Sequence, residues 1–203
     1  MIPMLAAAVL TVSGHTPVPV APPPVSRAVF HDAMRQLWED HITWTRLYIV
    51  SAAAGLPDAD ATAQRLLQNQ ADIGDAVGTY YGAAAGQALT ALLRAHILTA
   101  AKLVGAAKGG DTAVAHAASD AWYANADSIA DFLSKANPQA WPAATMRSAM
   151  RMHLDLTLKE ATARLHGDWS ADIAAYDAIH RHILELADVL SKGIIRQFPS
   201  RFN

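Results

Sequence analysis

The sequence predicts an all-α protein, an up-and-down antiparallel helical bundle of about five long helices plus one or two short ones. From residue 26 onward, apolar residues recur at spacings of three and four, and no segment shows the alternation of a strand. Glycine, proline and asparagine residues interrupt this helical pattern at intervals of about one helix length. The 203 residues are 52% hydrophobic and 17% charged, which suffices for the core of one domain.

In the first half of the bundle, helix-terminating residues mark the ends of the predicted helices. A long helix over residues 26–54 ends at the Gly-Leu-Pro sequence of residues 55–57. A shorter helix follows over residues 58–69. Residues 70–82 contain several glycines and are expected to form only a helical turn or two.

The second half contains longer uninterrupted segments. Gly109 and Gly110 end the third long helix, and Asp111 is a favourable N-cap for the next. Proline and glycine delimit the remaining two. The predicted ranges are 83–108, 111–136, 142–167 and 170–197.

The start of the chain differs in composition from the rest. Residues 1–14 are apolar and resemble a signal-peptide core, but no Lys or Arg precedes Arg27. Residues 15–25 are rich in proline and are expected to form an extended linker, which leaves residues 26–203 as the single domain. An exported protein is one interpretation; a cytoplasmic protein with a disordered tail is the other.

Composition excludes several functions. The chain has no cysteine, so thiolate metal sites and cysteine nucleophiles are excluded. A formal net charge of −2 and the absence of basic runs argue against nucleic acid as a partner. No transmembrane helix is expected, and no phosphate-binding loop or nucleophile elbow is present, so no reaction is predicted. A protein partner in the cell envelope is compatible with these features.

Four segments carry a resemblance to a known family: LWEDHITWTR (37–46), RLLQNQADIG (65–74), YANADSIADFL (123–133) and GIIRQFP (193–199). They resemble an uncharacterised family of exported bacterial all-helical proteins, over nearly all of the chain after the linker. The resemblance implies export and a helical bundle. It implies no activity.

Five predicted helices each place one polar residue at the centre of an apolar face and near the helix midpoint. In antiparallel neighbours of similar length, these midpoints lie at similar heights, so the side chains are expected to meet in one layer. His182, two positions after one of the five, is expected to point about 160° away, into solvent. The five residues are His41, His96, Asn125, His153 and His180.

Two interpretations of this layer remain open. In the first, His41, His96, His153 and His180 bind one transition-metal ion, zinc, copper, nickel or iron, and Asn125 and Asp177 orient the imidazoles. In the second, the same side chains form a metal-free hydrogen-bonded layer, and the protein acts by binding a partner.

Glu160 is a further acidic neighbour of the predicted site. It shares a helix face with His153, but seven residues separate the two by about 10 Å along the axis. We therefore expect Glu160 to form a salt bridge, with Arg46 or Arg164, or to belong to a second site. The third long helix supplies no acidic residue, so a di-iron carboxylate site is not expected.

Overall fold

The computed structural model describes residues 24–203, which form six long α-helices and one short 3₁₀ turn. The predicted leader at residues 1–14, and the linker up to residue 23, lie outside the described residues. The prediction of an all-α helical bundle is confirmed. The elements are α1 (Arg27–Ala54), α2 (Ala59–Tyr81), α3 (Ala83–Gly109), α4 (Thr112–Ala136), α5 (Ala143–Leu165), α6 (Trp169–Gln197) and the 3₁₀ turn Pro199–Arg201.

The six helices form a closed ring. Each helix packs against the previous and the next one, and α6 packs against α1. Short connections reverse the chain at every step, so α1, α3 and α5 run in one direction and the other three run in the opposite one. Helix α1 also contacts α3 and α5 across the ring. Side chains on these three parallel helices can therefore meet in the interior.

The prediction that α2 ends near residue 69 is wrong, because this helix continues to Tyr81. Gly74 and Gly78 do not break α2; they lie where it contacts α3. A Cβ atom added at Gly74 would lie 2.8 Å from the backbone oxygen of Gly86. The glycines therefore permit a close approach of two helices that no larger residue allows.

The two ends of the described chain are joined. Val25 forms an isolated parallel β-bridge with Phe202, and its backbone N–H donates to the carbonyl of Arg201 at 3.0 Å. The ring of Phe202 packs on those of Phe30 and Tyr80, at centroid distances of 5.0 and 5.3 Å. This aromatic cluster fastens the start of α1 to the ends of α2 and α6.

Helix α3 is the most apolar of the described helices. Within residues 24–203 it alone is long and apolar enough, by length and composition, to cross a membrane. In the bundle it packs between α2 and α4, and it carries the buried His96 on its inner face. In the bundle, 33% of its most apolar 18-residue window is buried.

Candidate functional site: a buried histidine cluster

Three histidines lie at the same height on the three parallel helices. His41, His96 and His153 precede the last residues of α1, α3 and α5 by 13, 13 and 12 positions. At a rise of about 1.5 Å per residue, all three lie about 18 to 20 Å from the same end of the bundle. They are 2%, 3% and 4% exposed, respectively.

His153 occupies the middle of this group, which we call the histidine cluster. Its ring centroid lies 5.6 Å from that of His41 and 5.9 Å from that of His96. The ring planes are inclined by 39° and 30°, respectively. Three of the four predicted ligand residues are thus adjacent in the structure.

His96 has a hydrogen-bond partner for each ring nitrogen. The indole Nε1–H of Trp122 donates to His96 Nε2 at 3.2 Å, so Nε2 carries no proton. The proton therefore lies on Nδ1, which donates to Asn125 Oδ1 at 3.0 Å. Asn125 is itself held by donation from its Nδ2 to the carbonyl of Leu92 at 3.1 Å. His96 is consequently a neutral imidazole of fixed tautomer.

His41 has one such partner, which the sequence interpretation missed. The amide Nε2 of Gln70 donates to His41 Nδ1 at 3.3 Å and to the carbonyl of Leu66 at 2.8 Å. Gln70 is fully buried. On a continuous α2 it shares one face with Leu66, Ile73 and Val77, and recognising that continuity would have placed it in the core.

His153 has the least satisfied environment of the three. Its Nδ1 is buried and has no hydrogen-bond partner among the described residues. The same holds for Trp38 Nε1 and Gln70 Oε1, both on side chains that adjoin His41. Each buried polar atom without a partner costs about 1–3 kcal/mol. A ligand that supplied a partner here would remove part of this cost.

Burial keeps the cluster neutral. It lowers the pKa of His41 to about 3 and that of His96 to about 4, and it lowers the pKa of His153 well below the ordinary value. Mutual repulsion of charged imidazoles lowers the values of His41 and His153 further. At pH 7 the rings are free bases, the form in which histidine binds a metal.

A small cavity of about 20 Å³ adjoins the histidine cluster. All three imidazoles and the indole of Trp38 contribute to its walls, and the remaining wall is apolar. A volume of this size holds about one molecule the size of water. The cavity therefore offers space for one small ligand beside the rings of His153 and Trp38, within a surface that is almost entirely apolar.

His180, predicted as the fourth ligand, does not belong to the layer. Its Nε2 lies 2.7 Å from Glu39 Oε1, and its side chain is 31% exposed. His180 is rotated by about 60° around α6 from the buried Ile183 and so faces the flank of α1. Asp177 lies on the exposed outer face of α6, so its predicted role in orienting an imidazole is also wrong.

His182 lies closer to the cluster than His180 does. Its ring centroid is 6.3 Å from that of His153, and its Nε2 donates to the carbonyl of Ala149 at 3.0 Å. The expectation that His182 points into solvent is wrong, because it is half-buried between α5 and α6. His182 is thus the fourth imidazole at the edge of the site.

Glu160 is fully buried but bonds to arginine and not to an imidazole. Arg46 Nη1 donates to Glu160 Oε1 at 3.0 Å, and Arg46 Nη2 donates to the buried Asp172 at 2.8 Å. Arg164 also reaches Asp172, at 3.3 Å. The expected salt bridge with Arg46 is present, and the assignment of Glu160 to the surroundings of the imidazoles is wrong. We call these four residues the ionic cluster.

The two carboxyl groups of the ionic cluster are shifted in opposite directions. Burial raises the pKa of Glu160 to about 7, although Arg46 opposes the rise. Burial also favours the neutral form of Asp172, but Arg46 and Arg164 together hold its pKa below the ordinary value. The ionic cluster therefore carries a carboxyl group that titrates near neutral pH.

The histidine cluster does not have the geometry of a metal site as it stands. With metal–nitrogen distances near 2.0–2.1 Å, tetrahedral ligation places imidazole centroids about 5 Å apart. The observed 5.6 and 5.9 Å are slightly longer. Across residues 24–203, no three His, Asp or Glu side chains are arranged to hold an ion as they stand. Ligation would require the rings to turn, and His96 to release Trp122.

Comparison of the chain with models of known families, with curated proteins and with solved structures gives no match. The resemblance to an exported helical family therefore remains a prediction from the four segments.

Proposed function

We propose that the histidine cluster binds one transition-metal ion through His41 and His153, with His96 as the third ligand. The observation that carries this proposal is the position of His153. Its unpartnered ring lies between two other neutral imidazoles and beside a cavity of about 20 Å³. A structural polar layer would be expected to satisfy its central member.

The donor set limits the identity of the ion. Three neutral imidazoles without thiolate or carboxylate ligands suit zinc, copper, nickel or iron, and disfavour magnesium and calcium. The small cavity leaves room for one water-sized ligand in a fourth position. Such a site binds an ion and one exchangeable small molecule; we assign no reaction to it.

A metal-free role for the cluster is the second candidate, and His96 favours it. Both of its ring nitrogens already have partners, Trp122 and Asn125. In that case the polar layer fixes the pairing of the helices, and the protein works by binding a partner at its surface. The two candidates differ in whether His41 and His153 retain an ion.

We further propose that the protein acts outside the cytoplasm. The apolar stretch at residues 1–14, the proline-rich segment after it and the resemblance to an exported family support this. The proposal predicts that the full chain expressed in a bacterium is recovered from the exported fraction. Recovery from the cytoplasm alone would contradict it.

Elemental analysis of the protein without a histidine tag tests the metal proposal. After incubation with zinc and dialysis, wild-type protein should retain about one equivalent. His41→Gln and His153→Gln should lose the ion, because each removes a proposed ligand while keeping a polar side chain of similar size. His180→Gln is the matched control, since His180 lies on a helix but outside the cluster, and it should retain the ion.

Two results would overturn the metal proposal. One is a wild-type protein that melts cooperatively but retains no stoichiometric metal. The other is a double variant, His41→Gln with His153→Gln, that retains as much metal as the wild type. Either result would favour the metal-free layer.

A further inference from the structure

A second, larger cavity lies on the other side of the histidine cluster, toward the ends of α1, α3 and α5. Its volume is about 60 Å³. Residues of these three helices form most of its wall, and Leu66 of α2 and Trp122 of α4 complete it. None of the three histidines of the cluster lines it, and Trp122, which donates to His96, contacts both the cavity and the cluster.

The wall of this cavity is apolar even where its residues are not. Thr45 and Thr157 both line it, but their hydroxyls donate to the carbonyls of His41 and His153 at 2.7 and 2.8 Å. The threonines are therefore free to present their methyl groups to the cavity. The indole N–H of Trp122 is likewise bound, to His96. A polar group placed beside these three residues would lose its hydrogen bonds to water without replacement.

Small side chains leave the space unfilled, and the cavity is open at one end. Ala100, Ala107 and Ala161 border it at positions where a larger apolar residue would occupy the volume. Ala107 and Thr162 are exposed, which places the mouth near the last turns of α3 and α5. The cavity is therefore accessible from solvent without unfolding.

We propose that this cavity receives the end of an alkyl chain that belongs to a small amphiphile. A closed apolar cavity of about 150 Å³ holds benzene, so about 60 Å³ accommodates about two or three carbon atoms. The rest of the ligand passes through the mouth, and its polar head stays in water. The apolar wall selects the alkyl end, and the small volume excludes rings.

Titration of the full chain with 1-hexanol, monitored by methyl NMR, tests this proposal. Saturable shifts are expected at the methyl groups of Ile97, Leu103 and Val104, which line the cavity. Ala100→Leu fills the space and should weaken binding at least tenfold. Ala91→Leu is the matched control on the exposed face of the same helix and should leave binding unchanged.

Two outcomes would overturn the proposal. One is the absence of saturable shifts at the cavity methyls of the wild-type protein, which does not depend on any variant folding. The other is equal binding to the wild type and to Ala100→Leu. If Ala100→Leu fails to fold, Ala161→Leu fills the same cavity from α5, and the same loss of binding is expected.

Discussion

His41, His96 and His153 are equally buried but unequally satisfied. His96 has partners for both nitrogens, His41 has one through Gln70, and the Nδ1 of His153 has none. Burial makes all three neutral. The same desolvation that disfavours a proton leaves the free lone pairs available to a ligand.

The buried imidazoles predict a loss of stability in acid. Their pKa values are lowered in the folded chain, so below about pH 6.5 the unfolded chain binds more protons. Stability is then lost as the pH falls toward the folded pKa values. For His41 and His96 the loss at pH 5 is about 2 kcal/mol each, and His153 adds to it.

Glu160 acts in the opposite direction. Its pKa is raised to about 7 in the folded chain, so the folded chain binds more protons than the unfolded chain between pH 7 and pH 5. As the pH falls over this range, the free energy of unfolding rises by about as much as one buried imidazole lowers it. The net expectation is a lower melting temperature at pH 5 than at pH 7 in chelator-treated protein. His153→Leu should show a shallower fall. An unchanged melting temperature in the wild type would contradict the burial of neutral imidazoles.

The burial of the ionic cluster predicts that substitution of Arg46 lowers stability far more than substitution of an exposed arginine. Arg46→Ala leaves Glu160 and Asp172 buried with one partner fewer, and should cost about 3–5 kcal/mol in urea unfolding. Arg147→Ala, which removes an exposed pair with Asp131, is the control and should have no measurable effect. Equal effects of the two substitutions would mean that the ionic cluster is solvated.

Helical spacing could predict the layer but not every member of it. The heights and faces of His41, His96 and His153 follow from periodicity, and so does the burial of Glu160. Spacing alone does not place His180 correctly, because a rotation of only about 60° on α6 separates a core position from a flank position. Whether such a residue faces the core or the flank depends on the neighbour against which it packs. For His180 that neighbour is Glu39.

Helices α2 and α3 owe their close contact to glycine. A Cβ atom at Gly86 would lie 2.6 Å from the carbonyl oxygen of Gly74 and 2.9 Å from the Cα of Gly78. Both are backbone atoms, which cannot turn aside as a flexible side chain does. From the sequence alone Gly74 and Gly78 indicate a break in α2, because the helix that faces them is unknown.

The contact predicts opposite effects for two glycines of α3. Gly86→Ala should destabilise the protein by about 1–3 kcal/mol, because the added methyl group collides with α2. Gly105→Ala should stabilise it by about 0.5–1 kcal/mol, since no atom lies within 4 Å of the new Cβ. Denaturant unfolding measures both. A neutral Gly86→Ala would contradict the tight contact of α2 with α3.

Residues 24–203 form a ring of helices whose two ends meet. Helix α6 packs on α1, and Val25 pairs with Phe202. These two contacts close the ring between its first and last helices. The glycine and proline residues between the apolar segments predict the helices, and the short connections predict their antiparallel order. Closure of the ring could not be predicted, because no local pattern identifies which distant helix covers α1.

Phe202 tests the importance of this closure. Phe202→Ala removes a 5% exposed ring that packs on Phe30 and Tyr80, and should cost about 3–5 kcal/mol. Phe202→Leu keeps most of the volume and should cost less. Thermal unfolding measures both. A loss below about 1 kcal/mol for Phe202→Ala would show that the C-terminal contact is dispensable.

The most direct test of the metal proposal is NMR of the histidine ring nitrogens during zinc titration. The proposed site predicts that His41 and His153 shift with one equivalent of zinc, and that His96 loses its bond to Trp122. His180, outside the cluster, should not shift. Shifts confined to exposed histidines, with the three buried rings unchanged, would contradict the proposal and identify the cluster as a metal-free layer.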